Sequence, residues 1–227
     1  MPRHVGRMIS VALTSLSIAA CGMLTGSRTV AFRIDVYAGE KVLGSSVMSV
    51  TARETPSLLE SAAQLSIRLK GEALALDENG RRGLLFMTLK PGGPVSSALL
   101  AGPAVFAMAD CVGCGGHQQF WNAMGDVKSA WRDPSGDIPR KDWPLIVRFR
   151  DSSDPASVSI VDPAALSITA VRVTRTKLPV SDGLRDFLPW LTDQGFRLVS
   201  ITGVKYAADI TPAQELVHTD FRQGFKD

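Results

Sequence analysis

Cys111-Val112-Gly113-Cys114-Gly115-Gly116-His117 is the stretch of this chain whose residue types and spacing could do chemistry. Two thiols three residues apart, with an imidazole three further on, suit metal ligation, dithiol redox exchange or haem attachment. Haem attachment requires His directly after the second Cys, and Gly115 stands there. A thioredoxin-like redox site requires a βαβ context, which the surrounding pattern lacks. Structural zinc takes four ligands. Cys111, Cys114 and His117 supply three, so Asp110 or His218 would have to complete the set.

Other chemistry has thinner support. The chain has no G-x-S-x-G elbow and no H-E-x-x-H pair, and beyond His4 its histidines are His117 and His218. No catalytic residue is therefore assigned. Asp133-Pro134, Asp154-Pro155 and Asp162-Pro163, with Asp151 nearby, could be read as a carboxylate site, but Asp before Pro is foremost a turn device. The run Arg172, Arg175, Lys177 reads as a solvated strand edge that resists aggregation. Trp121, Trp131, Trp143 and Trp190 could line a groove, yet core or rim packing accounts for them more simply.

The elements that must position these residues read mainly as strands. Val30, Phe32, Ile34, Val36 and Ala38 alternate with Arg33, Asp35 and Tyr37, which predicts a half-buried strand. Residues 39–41 can turn the chain into a second strand over 42–52. Leu65, Ile67 and Leu69 mark a third over 64–70. Residues 73–76 and 84–89 flank Asp77-Glu78-Asn79-Gly80, a hairpin signal because Asn and Gly tolerate positive φ. Further strands are expected at 145–150, 158–161, 166–177 and 196–205. Short helical turns are expected after Thr55 and Thr211, and Ser181 is placed to cap another through Leu188.

Residues 91–140 differ, holding thirteen of the chain's Gly and Pro residues. Within them 98–109 is apolar and reads as a buried core segment. Phe120, Met124, Val127 and Trp131 fall at helical spacing and predict an amphipathic helix over 118–131. The fold class expected is mainly β, an antiparallel sandwich or barrel with a few short helices. One domain spans 29–206, with 91–140 as a Gly/Pro-rich insertion and 207–227 as a C-terminal tail.

The N-terminus reads as an address. Arg3 and Arg7 precede an apolar stretch over 8–20 that is too short to span a bilayer comfortably. Leu16-Ser17-Ile18-Ala19-Ala20-Cys21 resembles the lipobox of bacterial lipoproteins: an aliphatic residue, small residues, then Cys. That resemblance implies a helical signal segment over 1–20 that is removed. It implies diacylglycerol on the Cys21 sulfur, acylation of the new amine with palmitate or a similar chain, and a tether over 21–28. Each buried acyl CH₂ contributes about 0.8 kcal/mol, so two or three chains together anchor the protein nearly permanently. Gly22 after the Cys, rather than Asp, implies the outer membrane over the inner, with the domain facing the periplasm.

An exported chain changes the reading of the remaining cysteines. With Cys21 lipidated, Cys111 and Cys114 are two thiols in an oxidising compartment, and a disulfide between them is the first expectation. Metal binding through Cys111, Cys114 and His117, or redox chemistry, remains the alternative. Charge narrows the partners. Lys and Arg number 25 against 22 Asp and Glu, and setting aside Arg3 and Arg7 leaves 23 against 22, a net +1. Such near-neutrality excludes strong whole-molecule attraction to nucleic acid or to an anionic membrane.

The body also resembles a group of uncharacterised anchored proteins of alphaproteobacteria. The resemblance rests on Gly44-Ser45-Ser46-Val47, Lys70-Gly71-Glu72-Ala73-Leu74-Ala75-Leu76-Asp77, 139–151, 154–158, Val161-Asp162-Pro163 and Leu188-Pro189-Trp190-Leu191. It implies no activity and no cofactor beyond the lipid. The expectation is a lipid-anchored envelope protein, a non-enzymatic interaction module with a periplasmic protein partner. The alternative is a metal-binding or redox protein using the Cys111/Cys114/His117 loop.

Overall fold

The computed structural model describes residues 26–55, 64–78, 80–91, 100–111, 113–191, 198 and 214–225. The expected signal segment, Cys21, the turns after Thr55 and Thr211, and most of the expected strand over 196–205 lie outside these residues.

The long alternating segments form the first sheet. β1 (Ser27–Ala38) and β2 (Lys41–Thr55) pair antiparallel through a turn in which Gly39 takes φ +60°. β3 (Gln64–Glu72) pairs with β2. Val30, Phe32, Ile34 and Val36 of β1 are fully buried, as the alternation required. β4 (Leu74–Glu78) and β5 (Arg81–Pro91) form the expected hairpin, with Gly80 at φ +83° donating its N–H to the Asp77 carboxylate at 2.7 Å. They join β7 (Pro144–Phe149) and β8 (Val158–Val161) in a second sheet of order β4-β5-β7-β8. The first sheet has six strands in the order β10-β3-β2-β1-β9-β6, adding β6 (Ser135–Asp137), β9 (Ala170–Arg175) and β10 (Arg222–Gln223). Every pairing among the described residues is antiparallel. The expectation of a mainly β fold holds. The two sheets stay separate and do not close into a barrel, so of the two architectures expected it is the layered one that forms.

Two cores divide the interior. The first unites the inner face of the six-stranded sheet with Leu74, Leu76, Leu85, Met87 and Leu89 of the second sheet. The second covers that sheet's opposite face, where Phe86, Val147 and Phe149 meet Leu184, Leu188, Leu191 and Phe221. The four-stranded sheet is thus buried on both faces, which is why β5 reads as a continuous apolar run. At one crossing Gly44 is required by close approach: a Cβ there would lie 2.6 Å from the Ala75 carbonyl oxygen.

Two helices complete the first core. α1 (Ala101–Met108) is the apolar segment, and it tolerates Pro103 because first-turn N–H groups have no intrahelical partner. α2 (His117–Ser129) buries Phe120, Ala123, Met124 and Val127, the expected amphipathic stripe. Trp131 departs from that stripe. The helix ends at Ser129, Ala130 turns extended, and Trp131 is left 85% exposed.

Other boundaries differ from expectation. Residues 27 and 28, expected in the tether, already belong to β1, because Ser27 and Arg28 pair with Arg53 and Ala52. The stretch 91–140 is less an insertion than a structural part of the domain, since it supplies α1, α2 and an edge strand. The C-terminal residues expected as a tail fold back. Phe221 is fully buried and Arg222 pairs with Glu72 across β10 and β3. Ser181 does not cap a helix; its N–H and Oγ bond the Val47 carbonyl and N–H, each at 2.9 Å, pinning the chain to β2.

Candidate functional site

The cysteine loop sits in the corner between α1 and α2. α1 closes with Asp110 in the left-handed region at φ +51°, with Cys111 N–H donating to the Phe106 carbonyl and Asp110 N–H to that of Ala107. This is a Schellman stop, which here uses Asp where Gly is commoner. Gly113 and Gly116 also take positive φ and bring the chain round into α2. There Gly115 N–H donates to the Gln119 side chain at 2.6 Å. Cys111 and Cys114 are joined as a disulfide with Cα atoms 5.6 Å apart. The loop is braced from below by the edge contact of Phe106 and Phe120, 5.9 Å between centroids.

This geometry limits the chemistry on offer. Both sulfurs are committed to each other, and neither is a thiolate ligand in this oxidation state. His117 is exposed in the first turn of α2. Among the described residues, no three His, Cys, Asp or Glu side chains gather as a metal site, and Asp110 and His218 do not complete one with the loop.

A second site carries more buried charge, and sequence reasoning did not single it out. Glu72 ends β3 where the chain passes through Ala73 into the second sheet. Its side chain is 3% exposed. One carboxylate oxygen accepts from Arg222 Nη1 at 2.6 Å; the other accepts from the N–H groups of Gly183 and Leu184 at 2.7 and 3.0 Å. The same Arg222 nitrogen reaches Asp182 at 2.7 Å, and the guanidinium stacks over Phe225 at 4.0 Å. Beside this cluster opens a cleft of about 380 Å³, with Ser45, Ser46, Ser181, Asp186 and Phe187 on its walls. Three donors engage the Glu72 carboxylate, so its lone pairs hold the fold. Among the described residues, the cleft's lining contains no His, Cys or Lys to couple with it in proton transfer. The only sequence signal for Glu72 was its place on the polar side of an alternating strand, which reads as solvent-facing.

The aromatic residues do not form one groove. Trp143 is buried and donates its indole N–H to the Ile138 carbonyl at 2.8 Å. Trp190 packs on Phe149 at 5.5 Å and on the His218 ring at 5.2 Å, and its indole N–H reaches the Ser152 carbonyl at 2.7 Å. Burial disfavours the charged form of both neighbouring titratable groups. It lowers the pKa of His218 below its ordinary value and raises that of Asp220. Trp121 lies half-buried under the Arg28 guanidinium at 4.1 Å, beside an open cleft that Gly26, Ser27, Arg28 and Lys128 also line.

The remaining motifs are structural. Asp154 and Asp162 accept from Ala156 and Ala164 N–H at 2.9 Å each, so two of the three Asp-Pro pairs cap short 3-10 turns. Asp133 instead binds Arg175 at 3.0 Å. The basic run is not an edge, because β9 lies between β1 and β6. Arg172 forks onto Asp137, and Arg175 also gathers the Val127, Lys128 and Arg132 carbonyls. No family model, curated protein or solved structure matches the chain.

Proposed function

We propose that the chain is a lipid-anchored module of the bacterial cell envelope, held by acylated Cys21, facing the periplasm and acting through contact with a protein partner rather than through catalysis. The observation that carries this reading is the run Leu16–Cys21 behind a basic segment, followed after only five residues by the start of β1 at Ser27. A signal ending in small residues and Cys provides the one thiol suited to a thioether link. The absence of Asp after that Cys favours the outer membrane. The non-catalytic part is supported by what the buried polar groups are occupied with. Glu72 ties three chain segments together, and Asp35 accepts from Arg33 and Ser45 across β1 and β2.

The test is metabolic labelling of producing cells with a radioactive fatty acid. Label is expected on the wild-type chain and absent from Cys21→Ser, which moves from the membrane to the soluble fraction. An unlabelled wild-type chain, or equal label on the variant, overturns the anchor. Cross-linking in intact cells is expected to give one discrete adduct; none under several cross-linker lengths overturns the partner.

A further inference from the structure

We propose that the end of the domain nearest the anchor, presenting Trp131, Arg132, Lys128 and Arg53, lies on the anionic surface of the bilayer that holds Cys21. The proposal rests on the anchored reading and adds an orientation and a second, non-covalent contact to it.

Reach comes first. Six residue steps separate Cys21 from Ser27, and an extended chain spans at most 3.3–3.6 Å per residue, so the start of β1 stays within about 20 Å of the lipid. What stands at that end follows from packing. Gly26, Ser27 and Arg28 share a cleft with Trp121, Lys128 and Ser129, which puts the C-terminal turn of α2 beside the chain entry. Two residues beyond Ser129 is Trp131, 85% exposed and by far the most exposed large apolar side chain among the described residues. The Arg132 guanidinium stacks on its ring at 4.1 Å.

Chemistry then selects the occupant. Indole rings settle at the headgroup level of a bilayer, and Lys and Arg are drawn to anionic headgroups within a Debye length. Arg53, opposite Ser27 in the β1–β2 register, adds a cation to this end. Of the nearby acids, Asp133 is already engaged by Arg175, leaving Glu54 and Asp126 against Lys128, Arg132 and Arg53, while Arg28 is turned inward onto the Trp121 ring and donates to the Trp121 carbonyl. With the exported chain near neutral overall, this local excess is the attraction available to it.

The experiment uses the full chain, lipidated during expression and reconstituted into phosphatidylcholine vesicles with or without phosphatidylglycerol, with bromine high on the acyl chains. Fluorescence is compared between wild type and Trp131→Phe, and flotation reports anchoring. The Trp131 contribution is expected to be blue-shifted, quenched at least twofold by lipid bromine and shielded from aqueous iodide. The Lys128→Gln/Arg132→Gln variant is expected to float equally but to lose the extra quenching seen with phosphatidylglycerol. Floated protein whose Trp131 emits as in water and is quenched by iodide overturns this proposal alone. Equal bromine quenching with and without phosphatidylglycerol overturns its electrostatic component. A chain that does not float overturns the anchored reading and this one with it.

Discussion

Glu72 and Arg222 meet at 2.6 Å with both side chains almost wholly withdrawn from water, although 150 residues separate them in sequence. The pair joins the end of β3, the segment around Gly183 and the C-terminal strand. Removing one partner leaves the other charge buried and uncompensated, a loss of about 3–5 kcal/mol in comparable cases. Arg222→Met should therefore lower the midpoint of urea unfolding strongly. Glu72→Gln should cost less, because the amide oxygen can still accept from Gly183 or Leu184. Equal midpoints for wild type and Arg222→Met would show that the Glu72–Arg222 pair adds nothing to stability.

Stability should fall as the pH is lowered through the range where unfolded histidine takes up its proton. Burial holds the folded pKa of His218 below its ordinary value of 6.5, so beneath that value the unfolded chain binds a proton that the native chain resists. Above it both states are neutral and the effect vanishes. Asp220 acts with the opposite sign in a more acidic range: its folded pKa is raised above 3.8, so the native state gains as pH falls through the raised value. Urea midpoints measured between pH 7.5 and 5.5 should decline, and His218→Gln should flatten the decline. An unchanged slope in the variant would assign it elsewhere.

The disulfide closes a very short loop, for which chain-entropy arguments give about 2 kcal/mol. Cys111→Ser with Cys114→Ser should lower stability by no more than that and leave the membrane fraction unchanged. Intact mass of the exported chain, lighter by two hydrogens and free of metal, goes with this bracing role. Full thiol mass with a metal adduct lost on denaturation would instead establish a ligand site at Cys111 and Cys114, and with it the metal or redox alternative.

Gly136 lies where β6 crosses α1. A Cβ there would come within 2.0 Å of the Ala107 carbonyl oxygen, and backbone cannot step aside as a long side chain can. Gly136→Ala should detach β6 from β9 and destabilise the domain. Hydrogen exchange at Ile138 N–H, which bonds the Val171 carbonyl at 2.8 Å, should report it as faster exchange. Unaltered exchange would show that α1 moves freely relative to the sheet.

The sequence by itself determined β1 to β5 and β7 to β9, but not the short edge strands β6 and β10, and it determined the amphipathic face of α2. Each of these depends on side-chain period within a few residues: Val30 to Val36 at period two, Phe120 to Val127 at three and four. It also determined the two Asp-Pro caps and the Gly80 turn, whose hydrogen bonds are local. Tertiary structure decided what joins segments distant in the chain. Glu72 reads as solvent-facing until Arg222 and Gly183 arrive over it. The C-terminus reads as a tail until Phe221 finds the ring of Phe149, 5.8 Å away. Arg172 and Arg175 read as an edge until β6 pairs outside them. In each case the covering element comes from tens of residues away, and no local pattern records it. Periodicity tells which face of a strand is apolar; only the assembled layers tell which polar residue lies beneath another segment.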